Sequence, residues 1–204
     1  MQPHAAVLRR RLMVRVAQTE QRLQQLDALL ALEGRGSTVA NPLPLQERQV
    51  AATPAFTIRD SIRTGGGDIH RLFESAERQV ARRGTRALRS PFLLLHDMDY
   101  HRPCLDVEVC IPVDRTALGS SGVRLIEPVA RAACIRFQGS YEQAPVLFDA
   151  VLDSMQGTAT RIGGPIREVY LRFGADQRGY ALDPKFLTDD ARQYRTELQL
   201  PLTG

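Results

Sequence analysis

One glutamate stands in the middle of an apolar segment near the C-terminal end of the sequence. Residues 164–173 read Gly-Pro-Ile-Arg-Glu-Val-Tyr-Leu-Arg-Phe, in which a glycine–proline turn precedes a strand-like alternation. The alternation places Ile166, Glu168 and Tyr170 on one face of the strand. An ionised carboxylate is costly to bury unless it is paired. We therefore expect Glu168 either to have an internal partner or to bind a cation, with Tyr170 as an aromatic wall of the binding site. The alternative is an ordinary solvated glutamate in mid-strand.

A second carboxylate lies on the last predicted strand. Glu197 alternates in phase with Gln199, so these two side chains share a face of that strand. If the two strands are neighbours, Glu168 and Glu197 converge on either side of the tyrosine, and paired carboxylates attract a cation or a proton. Tyr141 and Phe92 are candidates for further aromatic walls, which attract organic cations by cation–π interaction. The alternative for both rings is a place in the core.

The remaining polar clusters favour structural roles over chemistry. Three potential metal ligands lie close together in a polar segment, but their spacing matches no familiar metal site and turn chemistry accounts for them; they are His96, His101 and Cys104. The glycine run at 65–67 precedes a predicted helix and is interpreted as a turn rather than a phosphate loop. Cys134 lies among apolar residues and is predicted to be inert. No cofactor and no metal ion are predicted.

The composition is that of a globular protein with a moderate positive charge. The chain has 204 residues, 43% of them apolar, and a formal net charge of +4 at pH 7. The densest basic run, residues 9–11, is too short for a nucleic-acid-binding tract. Three cysteines give neither a disulfide framework nor a repeated pair of metal ligands. The sequence shows no membrane-spanning run and no signal peptide, so we expect a cytoplasmic protein that makes no contact with membranes.

The segment 1–34 is predicted to form a long helix with a narrow apolar stripe. No glycine or proline interrupts residues 4–33, and Gly34 suits a helix C-terminus. The stripe follows heptad spacing and consists of Leu12, Val16, Thr19, Leu23, Leu26 and Leu30. Such a stripe needs a surface that covers it. We predict a two-stranded coiled coil that holds a homodimer; the alternative is a helix packed on its own domain.

The rest of the chain is predicted to be one domain built from two similar units. Glycine, serine and proline in residues 35–47 indicate a linker, so the predicted organisation is a dimerisation helix at 1–34, this linker, and a globular domain at 48–204. Each unit reads as β-α-β-β. The predicted elements are Val50–Ile62, Asp68–Arg83, Pro91–His96 and Leu105–Val113, then Val129–Phe137, Ala144–Met155, 164–173 and Thr196–Leu202. The predicted fold class is therefore α+β, an antiparallel sheet with both helices on one face.

Three segments together resemble the C-terminal half of MerR-family transcription regulators, in which a GyrI-like effector-binding domain follows a dimerisation helix. They are the helix Leu8–Glu33, the Gly139-Ser-Tyr-Glu sequence with the helix after it, and Gly164-Pro-x-x-Glu-Val-Tyr leading to Glu197-Leu-Gln-Leu-Pro201. The resemblance implies that the glutamate matched by Glu168 lies at the base of an aromatic pocket for lipophilic cations. It also implies dimerisation through the helix matched by residues 8–33.

The sequence departs from this family pattern in two respects. We expect the N-terminal winged-helix domain that reads DNA to be absent from this chain, so that contact with DNA occurs only through such a domain. Several sensors of this kind also carry an aromatic residue near the position of Gln199, which leaves the type of ligand open.

The leading hypothesis is a dimeric domain that senses a small-molecule effector and is not an enzyme. Its predicted ligand-binding residues are Glu168, Tyr170, Ile166, Tyr141, Phe92, Glu197 and Gln199. One alternative is a GyrI-like hydrolase in which Glu168, with Tyr170, is the acid–base group. Another is a freestanding protein that sequesters a small molecule or a protein partner.

Overall fold

The described part of the chain forms a large antiparallel sheet and two helices. A computed structural model describes residues 45–63, 68–97, 99–100 and 102–204. The strands are β1 (Gln46–Val50), β2 (Thr53–Arg63), β3 (Phe92–Leu95), β4 (Cys104–Pro112), β5 (Val123–Ile126), β6 (Val129–Gln138), β7 (Arg161–Ile162), β8 (Ile166–Arg172) and β9 (Arg195–Thr203). The helices are α1 (Asp68–Arg83) and α2 (Gln143–Met155), and short 3-10 turns lie at Arg115–Ala117, Pro184–Phe186 and Ala191–Gln193.

The strand order confirms the predicted α+β class with an antiparallel sheet and two helices. The order across the sheet is β1-β6-β9-β8-β3-β4-β2-β5, and β7 pairs with β9. One unit is β2-α1-β3-β4 and the other is β6-α2-β8-β9. The two units meet at the centre of the sheet, where β3 pairs with β8. The duplicated unit is therefore visible in the topology.

Two short strands are exchanged between the units, which differs from the prediction. The sequence predicts a single strand over Val50–Ile62, but the chain breaks at residues 51–52 into β1 and β2. Strand β1 pairs with β6 of the other unit, and β5, which directly precedes β6, pairs with β2. Each unit thus extends the sheet of its counterpart. Periodicity along the chain carries no signal for this exchange, because the pairing partners are far apart in sequence.

Helix α1 lies where the sequence predicts it. Asp68 in the first turn and Arg82 in the last turn both have the charge that the helix dipole favours. Ala76 and Val80 are buried on the face turned to the sheet. Gly84 follows the last helical residue with a φ of 64°, a left-handed conformation that favours glycine and ends the helix.

Helix α2 carries apolar residues on both its buried and its exposed sides. Val146 and Leu152 are 46% and 40% exposed. The buried residues are instead Ala144, Phe148 and Val151, which also have helical spacing. Because α2 carries apolar residues on more than one side, its sequence does not define a single face.

The sheet separates two sets of buried side chains. Both helices pack on one face, which we call the helix face and which carries the larger core; this core includes Leu93, Val109, Ile135 and Leu198. The opposite face, which we call the outer face, carries a smaller cluster; its members are Ala55, Phe92, Leu94, Cys110 and Ile126. Successive residues of a strand point to opposite faces, so the register of each pair of strands decides which face a side chain joins.

Some predictions concern residues outside the described part of the chain. They include the coiled-coil helix, the glycine run at 65–67, and the dimerisation stripe, whose members are Leu12, Val16, Leu23, Leu26 and Leu30. Strand β1 begins at Gln46, so the sheet starts inside the segment 35–47 that the sequence predicts as a linker. Neither described helix combines the length and the apolar character that crossing a bilayer requires.

Candidate functional site

A cavity of about 350 Å³ lies between the helix face of the sheet and the two helices. Strands β3 and β8 contribute Leu93, Leu95, Glu168 and Tyr170 to its lining. Most of the other lining residues are apolar or aromatic, and they include Ile69, Phe73, Tyr100, Leu105, Tyr141 and Tyr180. The volume is within the range of roughly 300–1,000 Å³ that is typical of small-molecule pockets. We call this space the helix-side cavity.

The carboxylate of Glu168 is buried in the sheet beside this cavity. The residue is 6% exposed. It pairs with Leu93 on one side and with Leu198 on the other, so the central sheet fixes its backbone from both directions. The Tyr100 hydroxyl donates a hydrogen bond to Oε1 at 2.7 Å, and the Tyr170 hydroxyl donates one to Oε2 at 3.0 Å. Both carboxylate oxygens are therefore satisfied by neutral donors.

Among the described residues, Glu168 differs from the other buried glutamates in having no arginine at ion-pair distance. The buried glutamates of the described residues are Glu74, Glu77, Glu108, Glu168 and Glu197. Four of them form ion pairs, namely Glu74–Arg78, Glu77–Arg86, Glu108–Arg124 and Glu197–Arg136. Within the described ranges, no arginine, lysine or histidine lies at ion-pair distance from Glu168. Among the described residues, this buried carboxylate therefore lacks the cationic partner that burial normally demands.

The surroundings of Glu168 favour a positive charge next to it. Burial raises the pKa of the Glu168 carboxyl above its ordinary value, although the two tyrosine hydrogen bonds offset part of the effect. Burial and the charge of Glu168 both raise the pKa of Tyr100 and of Tyr170, so these hydroxyls remain protonated donors. A carboxyl in this state can accept a cation, or it can serve as an acid–base group.

Aromatic rings form walls around the buried carboxylate. The rings of Phe73 and Tyr141 each meet the Tyr170 ring edge to face, with 5.2 Å between centroids. Tyr141 also stacks on Tyr194, with 5.0 Å between centroids and 18° between the ring planes. Because Tyr141 is 36% exposed, it stands between the cavity and solvent. Burial raises the pKa of its hydroxyl as well. The rings offer π faces to a cation that approaches Glu168.

The structure places four of the seven predicted ligand-binding residues on the side of the sheet that the helices cover. Glu168, Tyr170 and Tyr141 all line the helix-side cavity. Ile166 lies on the same face of β8 but is fully buried in the core, away from the cavity lining. The strand alternation read from the sequence thus assigns this face of β8 correctly.

The other predicted residues lie on the outer face of the sheet; they are Phe92, Glu197 and Gln199. Glu168 pairs with Leu198, whereas Glu197 pairs with Val169. The register therefore turns the two carboxylates to opposite sides of the sheet. The predicted convergence of Glu168 with Glu197 is wrong, although β8 and β9 are neighbours as assumed. A difference of one residue in register is enough to separate the two groups.

Glu197 has internal partners and a structural role. Its carboxylate accepts hydrogen bonds from Arg136 Nε and Gln199 Nε2, both at 2.6 Å, and also pairs with Arg48. Burial by itself would raise the pKa of Glu197, but the hydrogen bonds from Gln199 and Arg136 and the charge of Arg48 bring it below its ordinary value. The charge of Glu197 is therefore neutralised without a ligand.

Replacing Glu197 by alanine is expected to lower the free energy of unfolding by about 1–3 kcal/mol, because two arginines and a glutamine lose a shared acceptor. Urea denaturation measures this change. The affinity of the helix-side cavity for any ligand should remain as in the wild type, since Glu197 faces the other side of the sheet. A folded variant that loses such binding would contradict this assignment.

Two residues of the cavity have no clear signal in the sequence. Tyr100, which donates to Glu168, lies 68 positions before it in a segment that the sequence predicts as a polar turn. Tyr180 comes from the long loop after β8, and its hydroxyl donates to Oε1 of Glu74 at 2.6 Å. Tertiary contacts, rather than local pattern, bring both tyrosines to the cavity. An aromatic residue inside a polar turn is the one local hint, and it is weak.

The cysteines and histidines singled out in the sequence have ordinary environments where the structure describes them. His96 Nε2 lies 3.0 Å from Oε2 of Glu108 on the sheet. Cys104 is exposed at the start of β4, and His101 is outside the described residues. Cys134 is buried, and burial raises the pKa of its thiol, which disfavours the reactive thiolate.

One group of potential metal ligands lies at the cavity. His70, Glu74 and Asp176 have ligand atoms within 4.8 Å of one another. However, the guanidinium of Arg78 lies 3.6 Å from Glu74, and that of Arg178 lies 3.9 Å from Asp176. The two carboxylates thus already have cationic neighbours, and an ion-pair cluster accounts for the arrangement.

These features define an α+β domain with a cavity between its two helices and a sheet built from two similar units, an arrangement consistent with the GyrI-like fold. Solved structures share this fold. The EcmrR C-terminal domain superposes with a TM-score of 0.60 at 16% identity, covering 79% of this chain and 99% of that one. The EcmrR chain of a cryo-EM structure of the EcmrR–DNA complex in EcmrR-RPo gives 0.64 at 16% identity, covering 96% and 70%. An uncharacterised conserved protein from Listeria innocua gives 0.52 at 13% identity, covering 80% and 95%.

The likeness to EcmrR confirms, at the level of the fold, the predicted resemblance to the C-terminal effector-binding domain of MerR-type regulators. The sequence matches no protein-family model, and it matches no curated protein.

Proposed function

We propose that this protein is the small-molecule-sensing domain of a MerR-type transcription regulator, and that its effector is a lipophilic cation bound in the helix-side cavity. The observation that carries the proposal is Glu168, a buried carboxylate held by two tyrosine hydroxyls and lacking a cationic partner among the described residues. A ligand that brings the positive charge would complete the pair. The apolar and aromatic walls would take up the hydrocarbon part of the same ligand.

Charge and apolar surface contribute separately to such binding. Two unit charges 4 Å apart interact by about 4 kcal/mol at an effective dielectric constant of roughly 20. Burial of apolar surface adds about 25 cal/mol per Å². A neutral apolar molecule gains only the second contribution, and a small hydrophilic cation gains little beyond the first after losing its hydration. The cavity therefore selects molecules that combine both properties.

The regulatory part of the proposal has two supports, the fold shared with EcmrR and the pattern of the N-terminal sequence. A homodimer held by the heptad stripe would join two sensing domains through one coiled coil. A ligand that binds one state of this dimer better than another shifts the population towards that state, and the coiled coil transmits the conformational change. Contact with DNA would fall to a winged-helix domain and not to the sensing domain.

A matched pair of ligands tests the central claim. Benzyltrimethylammonium and neopentylbenzene have almost the same shape, but only the first carries a charge, on nitrogen in place of carbon. We expect the cation to bind at least about tenfold more tightly, in line with the Coulomb energy of a partly desolvated pair. Competition against a fluorescent cationic dye measures both affinities. Equal affinities for the two molecules would overturn the role of charge.

The aromatic wall gives a second expected result. Replacing Tyr141 by alanine should weaken binding of benzyltrimethylammonium by about tenfold, because a ring beside the cation path is lost. Replacing it by phenylalanine should have little effect, since the ring rather than the hydroxyl makes the contacts with Tyr170 and Tyr194. The same dye competition measures both variants. Equal losses in the two variants would instead assign the effect to the hydroxyl.

A hydrolase is the second candidate function, because a glutamate with a raised pKa also suits acid–base catalysis. In this case Glu168 would exchange a proton with a reactive small molecule, and Tyr170 would hold the carboxyl in place. Prolonged incubation followed by mass spectrometry separates the two functions. A ligand recovered intact excludes turnover of that ligand, whereas product in excess of the protein would support the hydrolase.

A further inference from the structure

A second cavity, of about 260 Å³, lies on the outer face of the sheet. Three arginines line it, together with three neutral groups that carry hydrogen-bond donors; these residues are Arg48, Arg89, Arg167, Thr53, Ser90 and Gln199. The described lining residues include neither aspartate nor glutamate. We call this space the outer-face cavity. Phe92 and Gln199, which the sequence assigns to a cation pocket, belong to it.

Arg167 is the central group of the outer-face cavity. It follows the alternation of β8, so it points away from the side that Glu168 occupies, and it is 7% exposed. Its Nη2 donates a hydrogen bond to the backbone oxygen of Glu127 at 2.5 Å. Among the described residues, no carboxylate lies at ion-pair distance from it. A guanidinium has five N–H donors, so most of its capacity remains for another acceptor.

The neighbouring charges leave the outer-face cavity with an excess of positive charge. Glu197, beside the cavity, already pairs with Arg48 and Arg136. Arg89 is exposed, and no carboxylate of the described residues pairs with it. Burial, with a contribution from the nearby Arg124, lowers the pKa of Arg167, the direction expected for a guanidinium shielded from water.

We propose that the outer-face cavity binds a small organic anion, whose carboxylate or phosphate group meets Arg167 and Arg89 and whose apolar part contacts Phe92, Val169 and Pro112. Guanidinium groups match the geometry of both kinds of oxyanion by paired hydrogen bonds. The volume, slightly below the usual range for drug-sized ligands, limits the anion to a small molecule. This site lies outside the proposed cation-sensing function and on the other face of the sheet.

The two sites share one strand. Glu168 and Arg167 are consecutive residues of β8, and the pleat of the strand sends one carboxylate to the helix-side cavity and one guanidinium to the outer-face cavity. With respect to the residues that the structure describes, the sheet thus presents a negative group without an ion-pair partner on one side and a positive group without one on the other. Each is completed by a ligand of opposite charge.

Titration of 4-fluorobenzoate followed by ¹⁹F NMR tests the anion site. The wild-type protein in a low-chloride buffer is expected to shift and broaden the fluorine signal in a saturable way. Its neutral counterpart, 4-fluorobenzamide, should not bind, because it lacks the charge that the arginines recognise. Replacing Arg167 by glutamine should weaken binding of the benzoate by at least about tenfold, the usual effect of losing a charge-assisted hydrogen bond.

Three further variants make the outcome specific. Arg89→Gln, at an exposed position where folding is not at risk, should weaken binding about threefold, as expected for a partly solvated contact. Arg167→Lys should retain part of the affinity, because it keeps the charge. Arg192→Gln is the matched control, since Arg192 is highly exposed and pairs with Asp190 away from the cavity, and it should bind like the wild type.

Competition distinguishes the kinds of anion. Phenyl phosphate should displace the benzoate, whereas inorganic phosphate should displace it much less well, since it has no apolar part. Equal displacement by both would refute the claim that the site prefers an organic anion.

Two outcomes would refute the site itself. One is the absence of saturable benzoate binding to the wild type, and the other is unchanged binding in both Arg167→Gln and Arg89→Gln. Glu168→Gln should leave benzoate binding unchanged, because Glu168 faces the helix-side cavity. A result that refutes the anion site is therefore distinguishable from one that refutes the cation-sensing proposal.

Discussion

Replacing Glu168 by glutamine is expected to reduce the affinity for benzyltrimethylammonium by about 100-fold, which corresponds to the loss of a partly desolvated ion pair. The substitution keeps the size of the side chain and leaves an oxygen that can still accept a hydrogen bond from Tyr100 or Tyr170. The affinity for the neutral molecule neopentylbenzene should hardly change. The preference of the protein for the cation over its neutral counterpart should therefore disappear.

This variant is expected to fold at least as well as the wild type. A glutamine at position 168 removes a carboxyl whose ionised form is unfavourable in the folded state, since burial raises the pKa of that group. Thermal unfolding without ligand checks the stability. Glu142→Gln is the matched control, because Glu142 is an exposed carboxylate at the start of α2, and it should bind like the wild type. Equal cation affinity of wild type and Glu168→Gln would refute the proposed site.

The features of this site that can be predicted from the sequence are those set by local periodicity. A glycine–proline turn followed by alternation identifies β8 and places Glu168 and Tyr170 on one face. The spacing of apolar residues identifies α1, whose Phe73 does line the cavity. Each of these properties depends on neighbours within one element, and so the sequence shows them directly.

The features that cannot be predicted depend on the alignment of separate elements. The pattern of β9 shows that Glu197 and Gln199 share a face, but only the pairing of Glu197 with Val169 shows that this is the outer face. Tyr100 approaches Glu168 from a turn on the other unit, a contact that no periodicity encodes. The exchange of β1 and β5 is equally long-range. Register and strand exchange are set by packing of the whole sheet.

The affinity for the cation should depend on pH through the ionisation of Glu168. Because the pKa of Glu168 in the folded protein is raised, the carboxyl is protonated over an interval of pH in which an exposed glutamate is already ionised. A cation gains its full energy only from the ionised form. Cation affinity should therefore increase about tenfold per pH unit up to the raised pKa and then become constant, as linkage of one proton requires.

The contribution of Glu168 to the stability of the unliganded protein should decrease as pH rises, whereas the cation affinity increases. The folded state holds the proton of Glu168 more tightly than the unfolded chain does, so this contribution to stability is present below the unfolded pKa and is lost as pH rises through the folded pKa. Removing one tyrosine donor, by Tyr100→Phe, should raise the pKa of Glu168 further, because a hydrogen bond that favours the ionised form is lost. The pH at which cation affinity levels off should move upwards with it.

Dye titration across the acidic and neutral range, for the wild type, Tyr100→Phe and Glu168→Gln, measures these effects together. Other titratable residues also line the cavity, namely Arg63, His70, Glu74, Glu77, Tyr100, Tyr141, Tyr170 and Tyr180. They are retained in Glu168→Gln, so the difference between this variant and the wild type isolates the contribution of Glu168. A pH dependence that persists in Glu168→Gln would assign the proton to one of these neighbours, and it would refute the proposal that the buried carboxylate of Glu168 attracts the ligand.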